Sequence, residues 1–287
     1  MIRLVLFLFL LPVLASAGAL VPSGRIVWKS DVEGFGGLSG IEVAQDGTFL
    51  AISDRGMFFE GRLLHSAGRL SGVELTGRAP ILDSKGRPLD ARNTDAEGLA
   101  MTPEGRFFVS FESNQRVMEH ADTETAATFL PRDPAFRSFN YNSGLEALAL
   151  DPQGRVVAIP ERSGKLTRPF PVYRLEGDVW TVPFSIPRTE GFLVTGADFG
   201  PDGRLYVLER DFTWRGGFST RVRRFALTGD SLSAGETLLE TPPGRLDNME
   251  GISVWADSDG QTRLTLIADD NFNLLQNTVI AEYLVTD

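Results

Sequence analysis

The chain reads as an all-β protein, a β-propeller of five four-stranded blades forming one domain over residues 18–287. Three observations lead there. A hairpin motif returns five times, at 38–56, 96–113, 145–164, 194–212 and 249–272. Most copies are followed by two more strand-like runs, and four strands at a period of about 50 residues describe a propeller blade. No long amphipathic helical pattern occurs beyond residue 17. A β-sandwich uses similar hairpins but leaves the regular return of one motif unexplained.

Each motif joins a short alternating apolar run to a turn of the Pro-Asp-Gly type, then to a second apolar run ending in acid. The turn glycines are Gly47, Gly105, Gly154, Gly203 and Gly260. They supply the positive φ of a tight turn, and the flanking Pro and Asp favour turn entry. Further runs follow at 61–66 and 72–76, 116–120 and 126–130, 172–175 and 179–184, and 220–227 and 231–239. The last hairpin is followed only by 278–285. The early run 25–29 (RIVWK) is therefore assigned to the last blade, where it closes the ring and covers an edge. The stretch 79–92 fits none of these runs and leaves a sixth blade open.

Residues 1–17 (MIRLVLFLFLLPVLASA) place Arg3 before an apolar run over 4–14, followed by Ala15 and Ala17 at the −3 and −1 positions. That is the pattern of a secretory signal cut after Ala17. The apolar run is too short to span a bilayer. With no Cys anywhere, a lipid anchor on cysteine is excluded, and the expectation is an exported protein, periplasmic or secreted. The absence of Cys also removes disulfides, thiolate nucleophiles and iron–sulfur clusters. A formal charge of -10 argues against nucleic acid or anionic membrane as partner.

Carboxylates recur at equivalent places. Facing residues in a hairpin share a constant index sum, which pairs Glu97 with Glu112, Glu146 with Glu161 and Ser39 with Asp54. It sets Thr195 beside Glu209 and Arg210, and Glu250 against 268–270. Innermost strands line a propeller's channel. The expectation is that Glu97, Glu146, Glu250, Asp54, Glu112, Glu161, Glu209 and Asp269 gather at one mouth, with Asp198 pointing into the channel. Crowded carboxylates repel one another, and a hard cation relieves this. Calcium suits an oxygen-only donor set with no need of His or Cys. Metal ligands are therefore expected among Asp54, Glu97, Glu112, Glu146, Glu161, Glu250 and Asp269. Arg55, Arg162 and Arg210 follow acids of this set and suit a phosphate or a carboxylate. The plainer alternative makes these acids exposed turn residues or blade-stabilising ion pairs.

Other chemistry is missing. The chain has no GxSxG, HExxH, P-loop or EF-hand pattern, and 257–260 (DSDG) reads as a hairpin turn. Its two histidines, His65 and His120, lie in outer strands and read as structural or surface residues.

At the repeats the sequence resembles the phytase-like family, the domain called "esterase-like activity of phytase". The resemblance rests on GLSGIE (37–42), DAEGLA (95–100), GLEALAL (144–150), NMEGISV (248–254) and ADDNFN (268–273), and it spans roughly 25–287. It implies cleavage of phosphate esters through Glu97, Glu146, Glu250, Asp269 and Asp270. The first and fourth units depart, with Ser39-Gly40 and Thr195-Gly196 in place of Glu-Gly. The leading expectation is a monomeric, calcium-dependent hydrolase of small anionic esters. In it Glu97, Glu146, Glu250 and Asp269 are catalytic, and Arg55, Arg162 and Arg210 bind substrate. Two alternatives stay open: a calcium-dependent lactonase or esterase that adds Asn142, Asn248 or Asn271 as ligands, and a binding or scaffold propeller without catalysis.

Overall fold

A computed structural model describes residues 19–139, 144–273 and 276–286. Residues 1–17, expected to be a secretory signal, and Asn142 lie outside the described residues. Strand β1 (Ala19–Val27) opens the described chain. Blade 1 contains β2 (Leu38–Val43), β3 (Thr48–Ser53), β4 (Met57–Ser66) and β5 (Arg69–Pro80). Blade 2 contains β6 (Ala96–Met101), β7 (Phe107–Phe111), β8 (Arg116–His120) and the short β9 (Thr128–Phe129). Blade 3 holds β10 (Leu145–Leu150), β11 (Val156–Pro160), β12 (Phe170–Glu176) and β13 (Val179–Ile186).

Blade 4 runs β14 (Leu193–Phe199), β15 (Leu205–Thr213) and β16 (Gly217–Phe225). A small hairpin, β17 (Leu227–Thr228) and β18 (Ser231–Leu232), precedes its outer strand β19 (Glu236–Glu240). Blade 5 is β20 (Met249–Ala256), β21 (Thr262–Ala268) and β22 (Val279–Thr286), with β1 paired antiparallel outside β22. The first and last described strands thus share one sheet, as expected of a closing strand, although β1 begins earlier than the run 25–29.

The described residues form five four-stranded sheets and one two-stranded hairpin, so no sixth blade exists among them. The stretch 79–92 instead finishes β5 and folds into a loop pinned by a bridge between Leu82 and Pro88. The run 231–239 is divided between β18 and β19 by Gly235, whose φ of +81 suits a turn and not a strand.

The core lies between blades. Five apolar clusters each join two neighbouring blades, and the last joins blade 5 to blade 1 through Trp255, Ile267, Ile41 and Phe49. Much of the aromatic content is spent here: Phe58, Phe59, Phe111, Phe170 and Phe225 are fully buried. Each such side chain contributes roughly 1.5–3 kcal/mol. His120 belongs to this packing, stacked on Phe107 at 5.3 Å, and burial lowers its pKa to about 4. His65 holds Glu282 at 2.9 Å. Neither approaches the channel mouth.

Candidate functional site

The five inner strands β2, β6, β10, β14 and β20 surround the channel. Each carries a register shift at the same place. The ladder skips between Leu38 and Gly40, Ala96 and Leu99, Leu145 and Ala147, Val194 and Gly196, and Met249 and Gly251. Ser39, Glu97, Glu146, Thr195 and Glu250 therefore fall in β-bulges, unpaired with the second strand and turned into the channel. The strand pairs expected from constant index sums are corrected by the observed register. Two offsets add. On the turn side the ladder already runs one residue lower than expected, with Leu99 opposite Val109, Ala147 opposite Ile159 and Gly40 opposite Ile52. Past the bulge the partner shifts by one more, so Glu97 does not face Glu112, nor Glu146 Glu161, nor Ser39 Asp54.

Asp54, Glu112, Glu161 and Asp269 instead extend the ladder one step past their strands. Their N–H groups donate to the carbonyls of Gly37, Asp95, Gly144 and Asn248, all at 2.9–3.0 Å. The equivalent position in blade 4 is Arg210, opposite Leu193. Glu209, expected at the mouth, lies elsewhere. It is 0% exposed and held between blade strands by Arg221 Nε at 2.8 Å and by Arg223 at 2.6 and 2.7 Å.

Two tiers result. The inner tier joins Glu97, Glu146 and Glu250, from three blades, with carboxylate oxygens within 4.8 Å of one another. Asp95, Glu97 and Glu112 make a second such trio, which links inner and outer tiers. Beneath them the channel narrows to about 10 Å³, room for a single water. The reason is steric. A Cβ on Gly98 would meet Leu148 N at 2.7 Å and Glu146 O at 2.8 Å, so glycine at the bulge lets neighbouring inner strands touch. A ligand can meet these acids only from the mouth.

The electrostatics follow from burial. Desolvation first, then neighbouring carboxylates, push Glu97 and Glu146 well above the ordinary range. Burial also takes Glu112 and Asp269 up to about 7 and Asp54 to about 6, and it raises Glu161 and Asp95. Few partners offset this. Glu112 accepts the Gly144 N–H at 3.0 Å, and Asp269 accepts that of Asn271 at 2.7 Å. Arg210 donates to Glu250 and Asn248 and lies 3.6 Å from Glu161, while Asn248 Nδ2 donates to Glu250 at 2.6 Å. One guanidinium serves many acids. An oxygen-only set short of positive charge fits a hard divalent cation, and both acidic trios could hold one.

The other arginines sit on the rim. Arg162 is half exposed and bonded to Glu161 at 2.9 Å; Arg55 stacks on Phe272 at 3.3 Å from the ring centre. Asp270 is a latch. Its carboxylate accepts the Gly37 N–H at 3.0 Å, the Phe272 N–H at 3.1 Å and the Thr278 hydroxyl at 3.1 Å. It thereby holds a turn in which Asn271 and Phe272 both have positive φ, a strained arrangement beside the acids.

Asp198 is buried. It accepts the N–H of Val254 on the neighbouring inner strand at 2.6 Å and is close enough to Glu42 to raise that group's pKa. The reading of strand ends missed Glu42, Asp95 and Gln115. Glu42 stands three residues beyond Ser39, as Asp198 does beyond Thr195, and Asp95 lies within DAEGLA. Gln115, whose side-chain oxygen accepts the Leu145 N–H at 3.1 Å, carries no sequence signal.

These coordinates define a class: a five-bladed propeller with a closed throat and an acidic mouth. The model of the phytase-like family, "Esterase-like activity of phytase", matches residues 33–272. The chain belongs to that family. No curated protein matches the sequence. Among solved structures, an α-L-arabinofuranosidase from Podospora anserina in complex with cellotriose aligns over 94% of this chain and 98% of its own, with TM-score 0.50 and 12% identity. A PQQ-bound aldose sugar dehydrogenase from Streptomyces coelicolor aligns over 92% and 99%, with TM-score 0.49 and 13% identity. At such identities the likeness is one of fold.

Proposed function

We propose that the protein is an exported, monomeric hydrolase of small phosphate esters, working with a bound divalent cation, calcium by the chemistry of its donors. The observation that carries this reading is the convergence of Glu97, Glu146 and Glu250 from three blades within 4.8 Å. Family membership supports it. The inner glutamates, with Asp54, Glu112, Glu161 and Asp269 around them, would hold the cation. When bound it would polarise a phosphoryl oxygen and acidify a water.

The chain's own groups supply the rest. Asp269, at the edge of this set, serves as a ligand or as the base that takes the proton of the water. Its Oδ1 accepts the Asn271 N–H, so the transfer is assigned to Oδ2. Arg55 and Arg162 on the rim orient the anionic ester, and Arg210 partly neutralises Glu250 and Glu161.

The test is metal analysis of purified protein, then turnover of 4-nitrophenyl phosphate and bis(4-nitrophenyl) phosphate with and without chelator. Calcium-dependent cleavage is expected; a calcium-loaded protein that cleaves neither overturns the reading. Asn248, 2.6 Å from Glu250, favours a second reading, a cation-dependent lactonase or esterase. Turnover of lactones or aryl esters in place of phosphate esters would select it. Calcium-dependent melting without any turnover would leave a binding propeller.

A further inference from the structure

The loop that replaces the sixth blade builds something of its own. Residues 81–93 arch from blade 1 onto the outer strands of blade 2 and enclose a cleft of about 760 Å³. That volume lies within the range of small-molecule sites, roughly 300–1,000 Å³. Its charge is opposite to that of the chain, whose net charge is -10. Lys85, Arg87, Arg116 and Arg132 line it, with Asn93 and Asn114.

The two acids in its wall are already used. Asp83 accepts the N–H groups of Lys85 and Arg87 and the Arg87 guanidinium, at 2.7–3.1 Å. Asp90 accepts the Arg92 N–H and the Asn93 amide, at 2.9–3.0 Å. These bonds stiffen the arch and leave a cationic excess facing the cleft.

Arg116 is the decisive residue. It is 9% exposed, donates through Nη2 to Asn93 O at 2.6 Å and lies 3.9 Å over the Phe111 ring. Its Nη1 is buried with no hydrogen-bond partner among the described residues. A buried charged donor left unpaired is costly, and a turn of the side chain that brought it to an oxyanion in the cleft would remove that cost. Burial, with Arg132 beside it, outweighs the nearby Asp90 and Asp95 and lowers its pKa to about 10. The remaining wall is apolar, with Leu89, Met118 and the half-exposed Phe129.

We propose that this cleft is a second binding site, independent of the acidic mouth. It takes a phosphate or phosphonate group carried on an apolar substituent: the oxyanion meets Arg116, Arg132 and Lys85, and the substituent lies on Leu89 and Phe129. The site does not depend on hydrolysis at the mouth.

The probe is phenylphosphonate, which cannot be hydrolysed as an ester, titrated into the full mature chain at low ionic strength and followed by calorimetry. With chelator present, so that the mouth holds no cation and its uncompensated acids repel the phosphonate, saturable one-site binding is expected, tighter than that of inorganic phosphate. The double variant Lys85→Glu, Arg132→Gln should weaken it by at least about tenfold, since each 1.4 kcal/mol lost is a factor of ten. Both positions are solvent-accessible, so the test survives if Arg116→Gln fails to fold. The double variant Glu97→Gln, Glu250→Gln should bind as the native protein does. Absence of saturable binding, unchanged affinity in the cleft variant, or loss confined to the mouth variant would each overturn the proposal. Phosphonate binding without any ester turnover would sustain this site while sinking the hydrolase reading.

Discussion

Arg210 shows how one residue changes the balance of a symmetric site. Four blades place an acid one step past the second strand, and the fourth places this guanidinium there. It is a largely buried cation within the mouth, while Arg55 and Arg162 stay on the rim. Arg210→Gln leaves Glu250 and Glu161 without it, and removing one partner of a largely buried pair costs about 3 kcal/mol. The expected result is a lower melting temperature in chelator together with tighter calcium binding than native, read by calorimetry. Glu97→Gln should act in the opposite sense. It removes a carboxyl whose ionised form is penalised by burial and by Glu250 and Glu112. Thermal melts in chelator at pH 8 should show the variant more stable than native, while ester turnover falls at least about a hundredfold. A variant as active as native would remove Glu97 from the reaction.

At the scale of elements, the inner-strand bulge decides the site. A regular strand would send alternate side chains to opposite faces and pair every residue with its neighbour. The bulge frees one residue per strand to point inward and advances the acids of the second strand toward the opening. Glycine after the bulge makes the ring tight enough for carboxylates from different blades to meet. Gly98→Ala puts a methyl against the backbone of β10. The expected cost is about 2 kcal/mol, with Glu97 displaced and activity lost. Urea unfolding should report a lower midpoint at unchanged slope. Hairpins, turn glycines and outer runs were legible in the sequence because their signals are local. The bulges were not. Counting back from a turn needs the turn centre to the residue and assumes an unbroken ladder. The glycine inside LSGIEV and AEGLAM is the kind that accompanies a bulge, but it does not say which residue leaves the ladder.

For the whole molecule the mouth makes stability depend on pH in a direction that can be worked out. Asp54 at about 6, Glu112 and Asp269 at about 7, and Glu97 and Glu146, pushed well above the ordinary carboxylate range, all lie above their unfolded values. The folded state therefore holds more protons than the unfolded one across neutrality. The stability from these groups is present at lower pH and is lost as pH rises through about 6 to 7 and beyond. His120, lowered to about 4, works the other way, but only below its unfolded value near 6.5. In chelator the melting temperature should thus fall between pH 6.5 and 8, and calcium should restore it at pH 8. A melting temperature that climbs over this interval would mean the acids are compensated by charges other than a cation.

Five repeats, their hairpins, a strand near the start completing the last sheet, and acids at strand ends were all determined by the sequence alone. Each depends on residues close together in the chain or on a period that can be counted. Which acids meet was settled by ring closure and by bulges whose hydrogen bonds join residues far apart. Glu209 turned away into a buried arginine pair, Arg210 took an acid's place, and 79–92 became the wall of a basic cleft. Such outcomes turn on which face of a strand a side chain leaves, and a shift of one residue reverses that face.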